Sequence, residues 1–227
     1  MSAPVDLTVP AFFQGRARYH YSDAIKRPGH WSLVFRVYKP LFDITLSLLA
    51  LPLIAVTALV LLVLNPWLNP GPLFFVQDRL GWHKRAFRMI KFRTMTVAPS
   101  KAREAGEGVE KNRITRLGQV LRKLRIDELP NFFNVLRGEM SVIGPRPDAK
   151  SHAEHFLTEI PHYNYRYLVK PGITGLAQIE SGYAEGLEAT VLKAHYDQLY
   201  VETSCGRLDV YIAWRTITVM LTGFGAK

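Results

Sequence analysis

The chain has 227 residues, enough to bury a sizeable core, and a formal net charge of +10 at pH 7. The excess lies in residues 79–146, which hold 16 Lys and Arg against 6 Asp and Glu, while the remainder holds 13 of each sign. This field attracts polyanions such as nucleic acid, anionic lipid or phosphorylated small molecules, and the lone Cys205 excludes an internal disulfide, as expected for a chain facing the reducing cytosol.

Residues 1–33 are predicted to form an N-terminal arm. Aromatic residues alternate with arginines there, as in Phe12, Phe13, Arg16 and Arg18. This composition suits an amphipathic segment at a membrane surface, and a disordered tail fits it equally well.

Residues 34–70 are predicted to form a membrane helix. The run from Ile44 to Leu64 is uncharged, and a helix of that length would cover roughly 30 Å, enough to cross a bilayer once. Pro52 lies inside the run and predicts a kink, with a hydroxyl such as that of Ser47 available to the freed backbone. Basic residues flank both ends, which suits a helix that returns to the face it entered. A kinked single span fits the sequence equally well.

Residues 71–227 are predicted to form a cytosolic domain. Residues 73–95 predict two short strands around Gly81, because aromatic and β-branched residues flank a turn glycine. Residues 98–112 lack apolar periodicity and predict a mobile loop. A basic amphipathic helix follows, for which an ordinary surface helix is the alternative; its apolar residues recur at helical spacing, at Ile114, Leu117, Leu121 and Leu124.

The next segment, RIDELP at residues 125–130, places two adjacent carboxylates at or just before a helix start, since Pro130 is tolerated in a first helical turn. Helix capping is the simplest interpretation of Asp127 and Glu128. Phosphate chemistry is the alternative, because one carboxylate can attack a phosphoryl group while its neighbour holds Mg²⁺. It would explain the excess of nearby cations, namely Arg122, Arg125, Arg137 and Arg146. We expect Asp127 to stay ionised among these cations.

The last predicted element, Leu208 to Leu221, is too short to span a bilayer and predicts an interfacial or packed helix. The predicted fold class is therefore α+β and mostly helical. It combines a proline-broken membrane helix, amphipathic interfacial helices and a small β-hairpin.

Three motifs occur together: KFRTM at residues 91–95, LRKLRIDELPNFFNVLRGEMSVIGPRP at 121–147, and KPGITGLAQI at 170–179. In this order they resemble the bacterial sugar transferase family, the monotopic polyprenyl-phosphate hexose-1-phosphate transferases. The similarity runs from about residue 34 to the C-terminus. The family pattern differs at Arg125, where Ser or Thr is common, and at Asn131, where Gln is common.

The resemblance implies a reaction in which a UDP-sugar gives its sugar-1-phosphate to undecaprenyl phosphate and releases UMP. It implies that Asp127 is the nucleophile, forming a covalent phosphosugar, and that Asp127 and Glu128 are metal ligands for Mg²⁺. Arg122 and Arg146 match the family's phosphate-binding arginines, and Gln178 is placed near the active site. Arg137 is a further candidate from its position in the chain, while Lys91 and Arg93 suit either substrate phosphate or a membrane surface.

The resemblance also implies a re-entrant helix broken at Pro52, with the active site at the cytoplasmic face of the inner membrane. The expected partners are the UDP-sugar donor, the undecaprenyl phosphate acceptor and the lipid bilayer; nucleic acid is not expected. A homodimer is the default for the soluble part.

Two other functions stay open, a non-catalytic membrane scaffold and a membrane-bound nucleic-acid-binding protein, and Asp127→Asn distinguishes both from an enzyme. The sequence does not identify the sugar.

Overall fold

The computed structural model describes residues 33–96, 110–181 and 186–222. The predicted N-terminal arm, apart from residue 33, lies outside the described residues, and so does most of the predicted loop at 98–112. The chain is mostly helical with a small two-stranded antiparallel sheet, as predicted.

The helices of the described residues are α1 Leu33–Leu68, α2 Arg116–Lys123, α3 Asn131–Leu136, α4 Lys150–Glu159, α5 Leu176–Glu180, α6 Gly186–Thr203 and α7 Gly206–Thr222. The strands are β1 Phe74–Leu80, β2 Ala86–Phe92, β3 Ser141–Ile143 and β4 Gly172–Thr174. Strands β1 and β2 form the predicted hairpin, with Phe74 opposite Phe92 and Leu80 opposite Ala86. Strands β3 and β4 form a separate parallel pair, which the sequence did not predict.

Helix α1 has 36 residues and continues through Pro40, Pro52 and Pro66. The segment Phe35–Leu68 is long and apolar enough to cross a membrane. The Ser47 hydroxyl, expected to serve the backbone near Pro52, instead donates to the Asp43 carbonyl one turn earlier, at 2.6 Å. Much of the α1 surface is apolar and exposed; the large residues are Val37, Leu41, Ile44, Leu48, Leu49, Leu53, Val56, Leu59, Val60, Leu62 and Val63. Such a surface suits association with a membrane.

The N-terminal half of α1 is bound to the rest of the chain by buried polar contacts. The Asp43 carboxylate accepts hydrogen bonds from the Ser141 hydroxyl at 3.0 Å and from the Val142 N–H at 2.9 Å, both in β3. The Lys39 ammonium donates to the Ile143 carbonyl and to Asp209 of α7, each at 2.8 Å. A buried polar group left without its partner costs about 1–3 kcal/mol, so these contacts fix where β3 lies against α1.

The C-terminal half of α1 packs on the segment that carries the two adjacent carboxylates. Ile54 and Leu61 of α1 share a buried apolar cluster with Phe92 at the end of β2 and Leu121 of α2. The second, larger cluster lies around β3, β4, α5, α6 and α7 and includes Met140, Ile143, Leu176, Leu208 and Ile212. Helix α7 buries Leu208 and Ile212 on one side and exposes Val210, Trp214 and Ile217 on another, so it is a packed helix with an open apolar face.

Candidate active site

The two adjacent carboxylates lie in a short 3₁₀ turn, Ile126–Glu128, between α2 and α3. Arg125 has a left-handed backbone, with φ of 57°, which turns the chain out of α2 and into this segment. Helix α3 then begins directly after Pro130, as predicted. The N-cap position of α3 is Pro130 rather than either carboxylate, and the Glu128 oxygens accept from Lys91 and Arg146, so the geometry does not support the capping interpretation.

Glu128 is buried and surrounded by cations from three parts of the chain. Arg146, in the loop after β3, contacts both of its carboxylate oxygens, one through Nη1 at 2.9 Å and the other through Nη2. Lys91 of β2 donates to Oε1 at 3.2 Å, and Arg125 Nη1 lies 3.6 Å from the same oxygen. Although burial alone would raise it, Arg146 and Lys91 hold the pKa of Glu128 well below its usual range.

Asp127 has a different environment from its neighbour. It is buried, and its Oδ1 atom makes no hydrogen bond within the described part of the chain. Burial and the adjacent Glu128 charge raise the pKa of Asp127, while Lys91, Arg146 and Arg122 act in the opposite direction. Burial has a larger effect on the pKa of Asp127 than the cations, because Glu128 takes the direct contacts with Arg146 and Lys91. That Asp127 stays ionised remains a prediction.

Lys91 is itself perturbed by this crowding. Burial lowers its pKa to about 8, with Arg146 adding to the decrease and Glu128 opposing it. The charge on Lys91 is thus present at neutral pH and is lost in the mildly alkaline range.

The hairpin that carries Lys91 is held against α3 by Asn134. This buried side chain accepts a hydrogen bond from the Ile90 N–H at 3.1 Å and donates to the Arg88 carbonyl at 2.8 Å. These bonds fix the end of β2 relative to the helix that follows the carboxylates. Sequence reasoning missed Asn134, because a six-residue helix is too short to show a periodic pattern.

Arg146 is also held by strand β4. Its Nη1 donates to the Ile173 carbonyl at 3.2 Å, and Gln178 Nε2 approaches the same carbonyl at 3.4 Å. The loops after β3 and β4 touch backbone to backbone: a Cβ added at Gly175 would lie 2.2 Å from the Gly144 carbonyl oxygen. Only glycine permits this approach, so the GPRP and PGITG motifs form one structural unit.

A buried ionic network, not anticipated from the sequence, holds the backbone of the loop that carries Arg146. Arg166 is 4% exposed, and its guanidinium contacts the Arg146 carbonyl, the Tyr163 hydroxyl and Asp148. It also lies 3.1 Å from Asp197, while Lys193 donates to Asp148 at 2.7 Å. Arg166 and Lys193 hold the pKa of Asp148 well below its usual range, against the effect of burial. The segment YNYRYL carries Arg166 among aromatic residues, but that pattern alone does not indicate which loop it supports.

The remaining predicted site residues lie in different places. Arg122 is close enough to lower the pKa of Asp127, and its Nε donates to the Thr94 hydroxyl at 2.9 Å. Arg93 packs over Gly71, where an added Cβ would lie 2.3 Å from its Nη1. Arg137 is exposed at the end of α3. Within the described residues, no hydrogen bond or ion pair joins Arg93 or Arg137 to the two carboxylates.

The arrangement suits a ligand with several negative charges. In residues 33–96, 110–181 and 186–222, no cluster of three or more His, Cys, Asp or Glu forms a self-sufficient metal site. Asp127 Oδ1 is a buried acceptor without a partner there, beside a carboxylate already matched by cations. The site combines a carboxylate oxygen that could attack a phosphate group with four cations that could bind it, namely Lys91, Arg122, Arg125 and Arg146.

The chain is similar in sequence to a protein family and to several known proteins. The sequence model described as bacterial sugar transferase matches residues 34–223. A UDP-N-acetylgalactosamine-undecaprenyl-phosphate N-acetylgalactosaminephosphotransferase of Aeromonas hydrophila is 44% identical over 198 residues, covering 86% of this chain and 46% of the relative. A UDP-glucose:undecaprenyl-phosphate glucose-1-phosphate transferase of Klebsiella pneumoniae is 41% identical over 183 residues, covering 80% and 39%.

These two relatives are much longer than the chain, which spans less than half of the length of each. A third relative is of similar length. The exopolysaccharide production protein PSS of Rhizobium leguminosarum bv. phaseoli is 36% identical over 192 residues, covering 82% of this chain and 96% of the relative.

The Glu128 and Arg146 pair leads to a prediction about stability. Arg146→Met should lower the midpoint of thermal unfolding in detergent, because it removes charge-assisted hydrogen bonds, each worth about 1.5–3 kcal/mol, from a buried carboxylate. Lys150→Met is the matched control, since Lys150 and Glu154 are exposed and 4.0 Å apart, and its effect should be within about 0.5 kcal/mol. In the double variant Glu128→Gln/Arg146→Met, the loss should be smaller than the sum of the single losses. Equal unfolding midpoints for Arg146→Met and the wild type would contradict the contact.

Proposed function

Because the chain belongs to the bacterial sugar transferase family, we propose that it is a membrane-associated phosphoglycosyltransferase. It moves a sugar-1-phosphate from a UDP-sugar to undecaprenyl phosphate and releases UMP, as the first membrane step in making an exopolysaccharide, O-antigen or other glycoconjugate. The observation that carries the proposal is that the buried Oδ1 atom of Asp127 has no hydrogen-bond partner among the described residues, whereas the adjacent Glu128 carboxylate contacts Arg146 and Lys91. The names of the relatives, which act on UDP-sugars and undecaprenyl phosphate, support the substrate class.

In this proposal Asp127 is the nucleophile. A carboxylate oxygen of Asp127 attacks the phosphorus that bears the sugar, and a new P–O bond to the aspartate forms. The bond from that phosphorus to the bridging oxygen breaks, and its electron pair leaves with UMP. A phosphate oxygen of undecaprenyl phosphate then attacks the same phosphorus, which restores the Asp127 carboxylate and yields the lipid diphosphosugar. Neither step requires a further co-reactant.

The cations reduce the electrostatic repulsion between the Asp127 carboxylate and the diphosphate of the donor. Lys91 and Arg122 are close enough to oppose the rise in the pKa of Asp127, so they are suited to the phosphate oxygens of the donor. Arg146 is held by Glu128 and by the Ile173 carbonyl, so its guanidinium meets the diphosphate in a fixed orientation. Gln178 shares that carbonyl and completes this side of the site.

We propose Mg²⁺ as the cofactor, held by Asp127 together with the donor phosphates and supported by Glu128. The unpartnered Oδ1 of Asp127 fits a metal ligand, and Mg²⁺ commonly binds one or two carboxylates plus substrate phosphates. When bound, the ion supplies charge neutralisation at the diphosphate. Both Glu128 oxygens already contact Arg146, so Asp127 is the more available of the two ligands.

For the membrane segment we propose a re-entrant helix that bends at Pro52 and keeps the catalytic residues on the cytosolic side. Both halves of α1 contact the same body of the protein, through Asp43 and Lys39 before Pro52 and through Ile54 and Leu61 after it. A helix crossing straight through a bilayer would contact a body on one side only near one end. The exposed apolar face of α7 can rest at the same interface.

The decisive test of the reaction uses the purified protein in nanodiscs with Mg²⁺ and a panel of UDP-sugars that includes UDP-N-acetylgalactosamine, UDP-glucose and UDP-galactose. Peptide mass spectrometry should detect a phosphosugar on Asp127 that discharges onto added undecaprenyl phosphate. The adduct should be absent in Asp127→Asn and after removal of Mg²⁺ by a chelator. It should persist in Asp78→Asn, which removes an exposed carboxylate from β1.

If no donor gives an adduct or UMP release, the enzyme proposal fails. A role of the wild type in polysaccharide assembly that survives Asp127→Asn would then support a scaffold. Salt-dependent nucleic-acid binding that survives the same substitution would instead support the nucleic-acid alternative.

The site also predicts a pH dependence of UMP release. Asp127 must be deprotonated to attack, and its raised pKa places the acidic loss of kcat/KM above the ordinary aspartate value of about 3.9. Lys91 loses its charge as the pH rises through about 8, so KM for the donor should increase there. Lys91→Arg should remove the alkaline rise because the guanidinium stays charged, while the exposed Lys123→Arg should leave it in place. An unchanged alkaline limb in Lys91→Arg would exclude Lys91 as its cause.

The re-entrant topology predicts that both ends of α1 face the cytosol. The test places single cysteines at two exposed positions in a Cys205→Ala background: Arg36, near the start of α1, and Lys84, in the hairpin turn that follows α1. Both should react with a membrane-impermeant maleimide only after the cells are permeabilised. Labelling of just one of the two positions in intact cells would indicate a spanning helix instead.

A further inference from the structure

Thr94, the fourth residue of the KFRTM motif, lies between the strand that carries Lys91 and the helix that carries Arg122. It comes two residues after the end of β2 and is 6% exposed. Its hydroxyl oxygen accepts a hydrogen bond from Arg122 Nε at 2.9 Å. Lys91 and Arg122 both interact electrostatically with Asp127, the nucleophile proposed above. Thr94 follows the strand of the first and contacts the side chain of the second.

The backbone of Thr94 is fixed against α2, which makes this contact a rigid one. The Thr94 carbonyl accepts a hydrogen bond from the Thr115 N–H at 3.2 Å, and the Thr115 hydroxyl caps α2 by accepting from the Gly118 N–H at 3.0 Å. A Cβ added at Gly118 would lie 2.0 Å from the Thr94 carbonyl oxygen. The helix and the strand end are therefore in direct backbone contact, and the hydroxyl has a defined position relative to Arg122.

Two of the three guanidinium nitrogens of Arg122 are held on this side. Nε contacts the Thr94 hydroxyl, and Nη2 lies 3.2 Å from the Met95 thioether sulfur. A thioether is a weak acceptor, so the hydroxyl is the stronger of the two contacts. Within residues 33–96, 110–181 and 186–222, Nη1 of Arg122 makes no hydrogen bond, which leaves it available to a ligand.

We propose that Thr94 is a positioning residue for Arg122: its hydroxyl holds Nε so that Nη1 faces the phosphate of the donor bound beside Asp127. Arginine side chains lose rotamer freedom when they are immobilised. Because the Thr94 hydroxyl holds Nε before the substrate binds, less of that freedom is lost on binding. The inference rests on the proposed phosphoglycosyltransferase function, because the charge that Arg122 meets is that of a nucleotide-sugar phosphate.

The test compares Thr94→Val, which has nearly the same shape but no hydroxyl, with Thr94→Ser, which keeps the hydroxyl. UMP release from the UDP-sugar that the wild type uses is measured in nanodiscs, without lipid acceptor for the adduct-forming step and with it for turnover. Thr94→Val should raise KM for the donor roughly tenfold, which corresponds to about 1.4 kcal/mol, because Arg122 loses the hydrogen bond that orients its guanidinium. Thr94→Ser should restore most of the affinity.

Three controls separate positioning from general packing. Thr96→Val changes an exposed threonine two residues away and should leave KM unchanged. The thermal midpoint of Thr94→Val should stay close to that of Thr94→Ser. In an Arg122→Lys background, which lacks Nε, Thr94→Val should add little further effect, because the two changes remove the same contact.

Two results would overturn the proposal. The first is a Thr94→Val protein with wild-type KM. The second is a lower kcat at unchanged KM in both Thr94→Val and Thr94→Ser, which would indicate only fewer folded molecules. If the wild type itself releases no UMP from any donor, the proposed function fails rather than the role of Thr94, so the two failures are distinguishable.

Discussion

The candidate site depends on one interaction, the bidentate contact between the Arg146 guanidinium and the Glu128 carboxylate. It joins the loop after β3 to the 3₁₀ turn after α2, and Lys91 adds β2 to the same carboxylate. Because a buried carboxylate is costly without cations, these three segments stabilise each other only when they are assembled together. The Arg166 network fixes the loop that carries Arg146, and the Asn134 hydrogen bonds fix the strand that carries Lys91.

This arrangement separates two residues that are chemically alike and adjacent in the chain. Glu128 receives the direct cation contacts, and its pKa is depressed, whereas Asp127 remains without a partner at Oδ1, and its pKa is raised by burial and by Glu128. A carboxylate held by arginine is a poor nucleophile because its electron pairs are already engaged. One that is desolvated and unpaired is a better nucleophile and a more available ligand.

Much of the fold was accessible from local patterns in the sequence. The β1–β2 hairpin around Gly81, the helix start after Pro130, the long apolar α1 and a helix over Leu208 to Leu221 all appear as predicted. Helix α2 is shorter than the apolar repeat suggested: it ends at Lys123, and Leu124 is 48% exposed. Periodicity could not reveal the β3–β4 pair, because three-residue strands carry no pattern long enough to detect.

The site was less accessible, since it is built from contacts between distant residues. The motifs indicated Asp127, Glu128 and Arg146, and the fold brings these together with Lys91. Nothing local indicated that Arg93 packs over Gly71, or that Thr94, Asn134 and Arg166 hold the site in place.

The buried Asp43 has a consequence for how the protein is made. Its partner Ser141 is 98 residues further along the chain, and the Lys39 partner Asp209 is 170 residues away. During synthesis, α1 is therefore complete before the partners of these two charged side chains have left the ribosome. Until β3 and α7 have been made, Asp43 and Lys39 lack these contacts. The position of α1 against the rest of the protein is thus fixed only when α7 has folded.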